Sequence, residues 1–428
     1  MADNSIDDTT MDGVVDAMED VRIPDVDARP FDRVKAAGPP ASPPEFPRPV
    51  FQRGLRDDVL VYSEQTQTHM EARNVLFRDY SREFGGSHER ALSRVRQAYW
   101  PIPKKQKIRT IMGHVEICYV LTRSPADNDD GSLSDDSDDD SSMEDEDVVF
   151  ILTTQSVAVK VNYARRMDRH RGRHAEDPLK EVSAMQLIGN DNPHVMGIIE
   201  TLYVGGDLNV VMPFAASGDM FELLQEAQER GHGFPEGQAR YWFRQLMDGV
   251  RYLHQKGICH RDLSPENVMI DHDNSLIIDM GMAIRIPYTD PNNENPSAVT
   301  GILHGTEKRL LSPQGRCGKL PYMSPEIYQN LVPFDGGAVD IWTVGTILFC
   351  ILTGNRSYSI PDAVDPQFYW MTHDLSRLLH DWGNELSEEC VHLLENMLQV
   401  DPRLRYSLEE VMSHPWFAHK DINPPTVG

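Results

Sequence analysis

The side chains most able to do chemistry lie in the stretch His260–Asn267 (sequence HRDLSPEN) and in the triplet Asp279–Gly281 (DMG) that follows it. A carboxylate can accept a proton from a hydroxyl group, and carboxylate and amide oxygens can hold a magnesium ion. Two short apolar runs around a turn-rich centre, over residues 268–278, predict a hairpin between the two stretches. Such a hairpin would bring Asn267 and Asp279 together.

The order and spacing of these residues resemble the catalytic loop and the metal-binding loop of eukaryotic protein kinases. The resemblance implies that Asp262 accepts the proton of a substrate hydroxyl and that Asn267 and Asp279 hold magnesium, with ATP as the phosphate donor. It extends from about residue 105 to about residue 418. The residues before Asn267 resemble the serine/threonine type, and the ending His414–Phe417 resembles the calcium/calmodulin-dependent-kinase-like group. We therefore expect an enzyme that phosphorylates Ser and Thr hydroxyls of proteins.

The resemblance implies an α+β, bilobal fold with a small, mainly β N-lobe and a larger, mainly α C-lobe. The predicted boundaries are a disordered acidic and Pro-rich tail over residues 1–60, a helical extension over 61–104, an N-lobe over 105–213 with an acidic insertion at 124–147, a C-lobe over 214–418 with an activation segment at 279–326, and a short tail over 419–428.

Composition and periodicity carry the interpretation of the segments before the catalytic region. Residues 1–60 are rich in Asp, Pro, Ala and Ser with little periodic apolar content, which favours disorder. Between Val59 and Tyr99, apolar residues recur at spacings of three and four, which predicts helices. Strand-forming residues dominate from Lys107 to Thr122 and from Val148 to Val161, and these look like the first three strands of the small lobe.

The acidic residues are unevenly distributed. The formal net charge is −26, but residues 1–27 and 127–147 contribute −20 of it, which leaves roughly −6 for the remainder. The tract at 127–147 repels itself and is expected to be a solvated loop. Two interpretations of it stay open, a tolerated insertion in a hairpin and a regulatory site for an acid-directed kinase.

Composition also excludes several classes of partner. The chain shows no basic face for a phosphate backbone, so nucleic acid is not an expected partner. It has no run of eighteen apolar residues and no basic-then-apolar start, so we expect no membrane partner and no secretion. The predicted compartment is intracellular, and cytoplasmic in preference to nuclear.

On the small lobe, Val157–Lys160 (VAVK) matches the strand whose Lys pairs with the α- and β-phosphates of the nucleotide. Glu181 opens a helical run and is the expected ion-pair partner of Lys160. Glu176 is a rival for this role, but it precedes Pro178, which occupies a helix-starting position. The residues that the resemblance places around adenine and ribose are Val120, Ala158, Met212, Pro213, Ala215, Asp219 and Met269.

The glycine-rich loop of the family is degenerate in this chain. With Val120 on the final Val of that loop, Gly113 takes the first glycine position, while Val115 and Cys118 take the other two. Side chains there hinder the approach of backbone N–H groups to phosphates. The alternative to a working kinase is therefore a pseudokinase that acts as a scaffold or adaptor. The retained charged residues favour the kinase, because transition-state stabilisation depends on them.

Two positions near the catalytic Asp look exchanged. Serine/threonine kinases usually carry Lys two residues after that Asp and Thr ahead of the A-P-E segment, and here these places hold Ser264 and Lys319. Either arrangement leaves one positive charge near Asp262. We therefore expect Lys319 to do the electrostatic work of the usual Lys, and the alternative is an exposed lysine in a flexible loop.

Two further sets of charges follow from the resemblance. The family's D-P-x-x-R pattern ends at Arg405, which is expected to pair with Glu326 of the segment SPE. Asp219 and Glu266 occupy places that, in basophilic relatives, meet arginines upstream of the target hydroxyl. They predict protein substrates with basic residues upstream of the target. Glu266 has a structural alternative, as a residue that stabilises its own loop.

Overall fold

The computed structural model describes residues 40–123, 148–172, 176–289, 306–422 and 424. The chain divides into two compact units. Of the described residues, those within Arg48–Gly189 and Gly197–Phe214 form the N-terminal unit, and those within Met1–Pro47, Asn190–Met196 and Ala215–Gly428 form the C-terminal unit. The first unit is built mainly of strands and the second mainly of helices, which confirms the predicted α+β fold class. The acidic insertion at 124–147 and most of the predicted tail lie outside the described residues.

The described part of the N-terminal unit contains one large sheet and three helices. The strands are β1 (Gln52–Ser63), β2 (Thr68–Arg78), β3 (Gln97–Pro101), β4 (Ile108–Arg109), β5 (Gly113–Thr122), β6 (Val149–Asn162), β7 (Glu200–Val204) and β8 (Asp207–Pro213). The helices are α1 (His88–Arg94), α2 (Ala164–His170) and α3 (Pro178–Ile188).

The pairings of seven of these strands form a closed ring. The sheet runs β3-β2-β1-β7-β8-β6-β5-β4, and β3 also pairs with β5. Tyr99 on β3 lies opposite Leu76 on β2 and opposite Val120 on β5. Its hydroxyl donates to Glu200 Oε1 on β7 at 2.6 Å, so a partly buried hydrogen bond joins two strands that are not neighbours in the sheet. Ring closure leaves these seven strands without the exposed edge that invites aggregation.

The hairpin β1–β2 corrects two predictions from the sequence. Residues 48–60 are not a disordered tail, because β1 begins at Gln52, and the extension over 61–104 is not mainly helical. Within it only α1 is an α-helix. The consecutive residues Val75, Leu76 and Phe77 are all buried, and they belong to two core clusters on opposite faces of the sheet. A strand covered on both faces loses its alternating pattern, which explains the wrong helical interpretation.

A charge network also joins the hairpin to the rest of the sheet. Arg56 on β1 donates to Glu116 Oε1 on β5 at 2.6 Å and to Asn209 Oδ1 on β8 at 3.0 Å. Lys107 lies 2.7 Å from the other oxygen of Glu116. Burial alone raises the pKa of this carboxyl, but the two cations hold it below its usual value. The extension is therefore an integral part of the N-terminal unit.

The C-terminal unit contains helices and several short two-stranded pairs. The helices are α4 (Met220–Glu229), α5 (Glu236–Gln255), α6 (Pro325–Gln329), α7 (Gly336–Thr353), α8 (Pro366–His373), α9 (Leu375–Asp381), α10 (Glu388–Met397), α11 (Leu408–Ser413) and α12 (Pro415–Ala418). The strands are β9 (Ile258–Cys259), β10 (Val268–Asp271), β11 (Asn274–Ile277), β12 (Ile284–Arg285), β13 (Tyr288–Thr289) and β14 (Glu307–Lys308).

Helix α7 is the centre of this unit. Among the described residues it is the one helix long and apolar enough to cross a bilayer, yet each of its residues is buried within the protein. Total burial is what a core helix that is apolar on all sides requires. It begins at an N-cap, where the side chain of Asp335 accepts from Gly337 N, and ends at Gly354 in the left-handed conformation.

We predict that Val61→Ala lowers the free energy of unfolding of the N-terminal unit by about 2 kcal/mol, because it leaves a cavity where a fully buried side chain packs. Val50→Ala removes the same atoms from a side chain that is 72% exposed, and should cost less than about 0.5 kcal/mol. Urea denaturation of both variants measures the difference. Equal effects would show that the hairpin is not part of the folded core.

Candidate active site

A buried carboxylate holds the loop that carries the predicted catalytic residues. Asp340, on α7, accepts from the backbone N–H of His260 through Oδ2 and from that of Arg261 through Oδ1, both at 3.0 Å. His254 Nε2, on α5, lies 2.9 Å from Oδ2. Although burial raises the pKa of a carboxyl, the bonds from His254 and the backbone hold the pKa of Asp340 below its usual value. The loop therefore begins at a fixed anionic anchor.

The predicted hairpin is present. Strands β10 and β11 pair with Val268 opposite Ile277, and Ile278 N donates to Asn267 O at 2.9 Å. Asp279 follows in the left-handed conformation, with its carboxylate accepting from Gly281 N at 3.1 Å. The hairpin thus places Asn267 and Asp279 at the same end of two adjacent strands, as the sequence indicated.

Asp262 offers an unoccupied acceptor. Asn267 Nδ2 donates to the backbone oxygen of Asp262 at 2.7 Å, which fixes the loop between them. Asp262 Oδ1 is buried and has no hydrogen-bond partner in the part of the chain that the structure describes. Burial raises the pKa of this carboxyl, and the charge of Asp279 raises it further against the opposing effects of His260 and Lys319. A buried acceptor without a donor is suited to receive a proton.

Lys319 and Ser264 are in direct contact. Lys319 Nζ donates to Ser264 Oγ at 3.0 Å and lies 3.1 Å from Glu266 Oε2. The side chain of Ser264 is fully buried, whereas that of Lys319 is 40% exposed. The structure therefore brings together the two residues that the sequence identified as an exchanged pair. The ion pair of Glu266 with Lys319 also fits the structural alternative for Glu266, in which it stabilises its own loop.

Gly318 explains how Lys319 comes so close to the catalytic loop. Gly318 has a φ of +87°, and a Cβ atom added to it would lie 2.9 Å from the backbone oxygen of Arg261 and 3.4 Å from Asp262 Oδ1. Only glycine adopts this backbone conformation without strain and leaves room for the neighbouring loop. The chain therefore passes against the catalytic loop at the residue before Lys319.

In the N-terminal unit, Lys160 Nζ contacts both carboxylate oxygens of Glu181, at 2.7 and 2.8 Å. The predicted ion pair is thus present, with Lys160 on β6 and Glu181 in the first turn of α3. Asp177 caps this helix by accepting from Leu179 N, and Pro178 starts it as predicted. Both charged side chains are largely shielded from solvent, which strengthens their attraction.

The strand register corrects the predicted roles of Gly113 and Val120. Val120 lies opposite Tyr99 and packs in the core cluster with Val157 and Val159, on the face of the sheet away from Ala158 and Lys160. It cannot lie above a nucleotide that contacts Ala158. The residue opposite Ala158 is Ile117, which sequence reasoning missed. A bulge between Tyr119 and Leu121 shifts the register there, and no sequence pattern announces it.

Gly113 is a strand residue and not the first glycine of a phosphate loop. It lies on β5 opposite Asn162, and an added Cβ atom would lie 1.7 Å from the backbone oxygen of Val161. The glycine is therefore required by the neighbouring strand. Val115, also on β5, lies opposite Lys160. Residues 102–112, which include β4, connect β3 to β5 at this end of the sheet.

The remaining predicted contact residues occupy defined positions in their own units. Met212 and Pro213 are on β8, opposite Ala158 and Val157 of β6 respectively. In the C-terminal unit, Ala215 is buried, Asp219 forms an isolated bridge with Met269, and the Asp219 carboxylate caps α4 by accepting from Glu222 N. Asp219 therefore has a structural role that the sequence did not reveal.

The predicted pair at the end of the activation segment is also present. Arg405 donates to both carboxylate oxygens of Glu326, at 2.7 and 3.1 Å, and both side chains are almost completely buried. Arg405 Nη1 also donates to Ala338 O. Removing one member of such a pair leaves a buried charge without compensation. The pair therefore ties the helix α6 to α7.

The donor set fits magnesium. Within the described residues, no group of three or more His, Cys, Asp or Glu side chains is placed to hold a metal ion. Mg²⁺ uses one or two protein oxygens and takes its other ligands from phosphates and water. Because Asn267 Nδ2 donates to Asp262, the Oδ1 atom of Asn267 is the one that could bind a cation, together with the carboxylate of Asp279.

Comparison with known proteins gives the same family. The model of the protein kinase domain matches residues 147–417, which is more than half of the chain. This chain belongs to the protein kinase family. The match begins at residue 147, so strands β1–β5 lie outside it.

Curated relatives identify the serine/threonine branch. The chain is 36% identical over 210 residues to serine/threonine-protein kinase chk1 of Schizosaccharomyces pombe, which covers 48% of this chain and 37% of that protein. It is 31% identical over 239 residues to serine/threonine-protein kinase grp of Drosophila melanogaster, which covers 55% of this chain and 41% of that protein. It is 30% identical over 278 residues to the SNF-related serine/threonine-protein kinase of Homo sapiens, which covers 64% of this chain and 32% of that protein. The matched stretch thus spans less than half the length of each of these relatives.

We predict that Asp262→Asn raises the thermal midpoint at pH 7.5 by about 3 °C, or roughly 1 kcal/mol. The pKa of Asp262 is raised by burial, so the deprotonated carboxylate costs stability at neutral pH, and the cost disappears as pH falls and the carboxyl becomes neutral. Thermal unfolding at pH 7.5 and 5.0 measures the change, which should shrink at the lower pH.

Asp381→Asn is the matched control for this prediction. The Asp381 side chain is 60% exposed, and its ion pair with Arg377 is long, at 3.7 Å. Its replacement should change the midpoint by less than about 1 °C at either pH. A loss of stability in the Asp262 variant, or a gain that is the same at both pH values, would contradict a carboxyl whose pKa is raised by burial.

Proposed function

We propose that this chain is a protein kinase that transfers the γ-phosphoryl group of ATP to Ser or Thr hydroxyls of protein substrates, with Mg²⁺. The observation that carries the proposal is the buried, unpartnered Oδ1 atom of Asp262, in a loop whose neighbours Asn267 and Asp279 supply oxygens suited to Mg²⁺. A buried carboxylate with only a structural role usually accepts a hydrogen bond from its own chain at each oxygen, and Asp262 Oδ1 accepts none from the described residues.

The roles of the residues in the C-terminal unit follow from their chemistry. Asp262 accepts the proton of the substrate hydroxyl as the oxygen bonds to the γ-phosphorus, and the bond from that phosphorus to the β–γ bridging oxygen breaks to release ADP. Asn267 Oδ1 and the Asp279 carboxylate would hold the magnesium ion, which would neutralise charge on the phosphate oxygens. The raised pKa of Asp262 makes it a better base than an exposed carboxylate.

The N-terminal unit supplies the second set of charges. We assign Lys160 to the α- and β-phosphates, with Glu181 as the residue that orients it. For the nucleoside, the proposal keeps Ala158, Met212 and Pro213 in the N-terminal unit, where Ile117 replaces Val120 as the strand residue opposite Ala158. In the C-terminal unit it keeps Ala215, Asp219 and Met269.

A scaffold that does not transfer phosphate is the alternative, and the missing glycines motivate it. Two observations favour the kinase. The Lys160–Glu181 pair is formed at 2.7 Å, and the Asp262 loop is anchored to Asp340 at both N–H groups that precede it. A protein that only binds partners has no requirement for either arrangement, because both orient groups that act on a bound phosphate.

The proposed substrates carry basic residues upstream of the target hydroxyl. Asp219 and Glu266 interact electrostatically, and the proximity of Glu266 is one cause of the raised pKa of Asp219, after burial and the charge of Glu222. A region with two carboxylates favours a cationic peptide. Glu266 also lies 3.1 Å from Lys319, so the peptide competes with an internal cation for this carboxylate.

The experiment is a phosphate-transfer assay on the whole chain with two peptide pools, one with Arg and one with Glu before a central Ser. We expect transfer to the basic pool, dependent on Mg²⁺, and a loss of at least about 10³-fold in Asp262→Asn. Asp381→Asn should transfer at the wild-type rate. Equal activity of the Asp262 variant would exclude this mechanism, and equal use of the acidic pool at low salt would exclude the substrate class.

We further predict that Lys319→Thr lowers kcat by about 10²- to 10³-fold, because it removes the positive charge beside Asp262 and the transferred phosphate. Adding Ser264→Lys should restore much of the loss, because the Ser264 and Lys319 side chains occupy adjacent volumes at 3.0 Å. Steady-state kinetics of both single variants and the double variant measure the coupling. Strictly additive effects, or a Lys319 variant with unimpaired turnover, would assign Lys319 to the loop structure alone.

A further inference from the structure

The described chain begins with a proline-rich segment, residues 40–47 (PASPPEFP), that belongs to the C-terminal unit. Ala41 N donates to Leu310 O at 2.9 Å, and Ser312 N donates to Ala41 O at 2.9 Å. Ala41 thereby forms a parallel bridge with Leu311. The segment is thus joined to residues 310–312, within the activation segment, by one isolated bridge.

The same stretch of the activation segment is paired on its other side. Leu311 N donates to Phe334 O at 2.8 Å and Phe334 N donates to Leu311 O at 2.9 Å, in an antiparallel bridge. Leu311 thus lies between Ala41 and Phe334 in a narrow three-stranded arrangement. An interior strand has its N–H and C=O groups satisfied on both sides and opens less readily than an edge.

A second contact joins residues 40–47 to the start of the activation segment. Arg285, on β12, is buried and donates through Nη1 to Glu45 O at 2.8 Å. β12 pairs with β9, where Arg285 lies opposite Ile258, immediately before the catalytic loop. The segment therefore contacts the activation segment both soon after Asp279 and shortly before Lys319.

Leu311 is connected to the catalytic loop by packing. It is fully buried in a core cluster that also contains Cys259, next to His260, and Cys317, next to Gly318. Six residues after Leu311 the chain reaches Cys317, then Gly318 against the Arg261 backbone, then Lys319. The position of Leu311 therefore sets where Lys319 arrives beside Ser264.

We propose that residues 40–47 are a positioning segment, which holds Leu310–Ser312 in place so that Lys319 is presented to the catalytic loop. This proposal rests on the proposed function for its effect on phosphate transfer, but its structural part stands apart from it. Pro40, Pro43, Pro44 and Pro47 restrict the segment before it docks, which lowers the entropy lost on binding. Proline has no backbone N–H, but the bridging position is occupied by Ala41, which keeps the N–H that donates to Leu310 O.

The test compares two proline substitutions in the whole chain. Ala41→Pro removes the N–H that donates to Leu310 O. Ser42→Pro is the matched control, because among the residues that the structure describes Ser42 N–H donates to none, and a following proline favours the extended backbone that Ala41 already has. Amide hydrogen exchange is followed in peptides that contain Ser312 and in peptides that contain Tyr322 and Met323, whose N–H groups donate to Lys319 O.

We expect exchange in both peptides to be at least about fivefold faster in Ala41→Pro than in wild type, which is the effect of losing one such hydrogen bond, and unchanged in Ser42→Pro. The kcat of Ala41→Pro should fall by a similar factor or more. Unchanged exchange at Ser312 would show that the segment does not hold the loop, and faster exchange at Ser312 alone, with kcat unaltered, would show that it does not position Lys319. If wild type transfers no phosphate, the proposed function fails, and the exchange at Tyr322 and Met323 still decides the positioning.

Discussion

The described active-site loop depends on the Asp340 carboxylate. This side chain lies in a helix buried on all sides, where a charge without partners costs several kcal/mol. It is satisfied by the N–H groups of His260 and Arg261 and by His254. Because those N–H groups point at one carboxylate, Arg261 takes a left-handed φ of +62°, and the chain turns so that Asp262 faces Asn267. The loop is thus shaped by a group that performs no chemistry itself.

The catalytic side chains were predictable from the sequence because residue type and spacing in HRDLSPEN and DMG resemble the kinase motifs. Asn267 and Asp279 flank the hairpin of β10 and β11, and Asp262 lies in the loop just before it, so local strand signals suffice to bring them together. The ion pairs Lys160–Glu181 and Arg405–Glu326 were also predicted, because the motifs that contain these residues resemble protein kinase motifs in which the same positions pair. A buried charge requires a partner, and this rule applied to Asp340 would have pointed to the anchor of the loop.

The parts that the sequence did not reveal depend on pairing between distant strands. The spacing of Val75, Leu76 and Tyr99 fits a helix as well as a strand with both faces covered, and only the closed ring decides between them. Likewise, whether Val120 or Ile117 lies opposite Ala158 depends on the strand register, which a bulge between Tyr119 and Leu121 shifts. The bridge of Ala41 to Leu311 joins residues far apart in the chain, and no local pattern in a proline-rich segment points to it.

The central claim is that the charged residues retained in this chain bind the magnesium complex of ATP although the glycine loop is altered. Thermal unfolding of the whole chain with ATP, with and without Mg²⁺, tests it most directly in wild type and in Asp279→Asn. A ligand at about a hundredfold its Kd stabilises by roughly 2.7 kcal/mol, so the account predicts a midpoint several degrees higher in wild type with Mg²⁺ and a much smaller shift without it or in the variant. Equal midpoints in all of these conditions would contradict the account and favour a scaffold that binds no nucleotide.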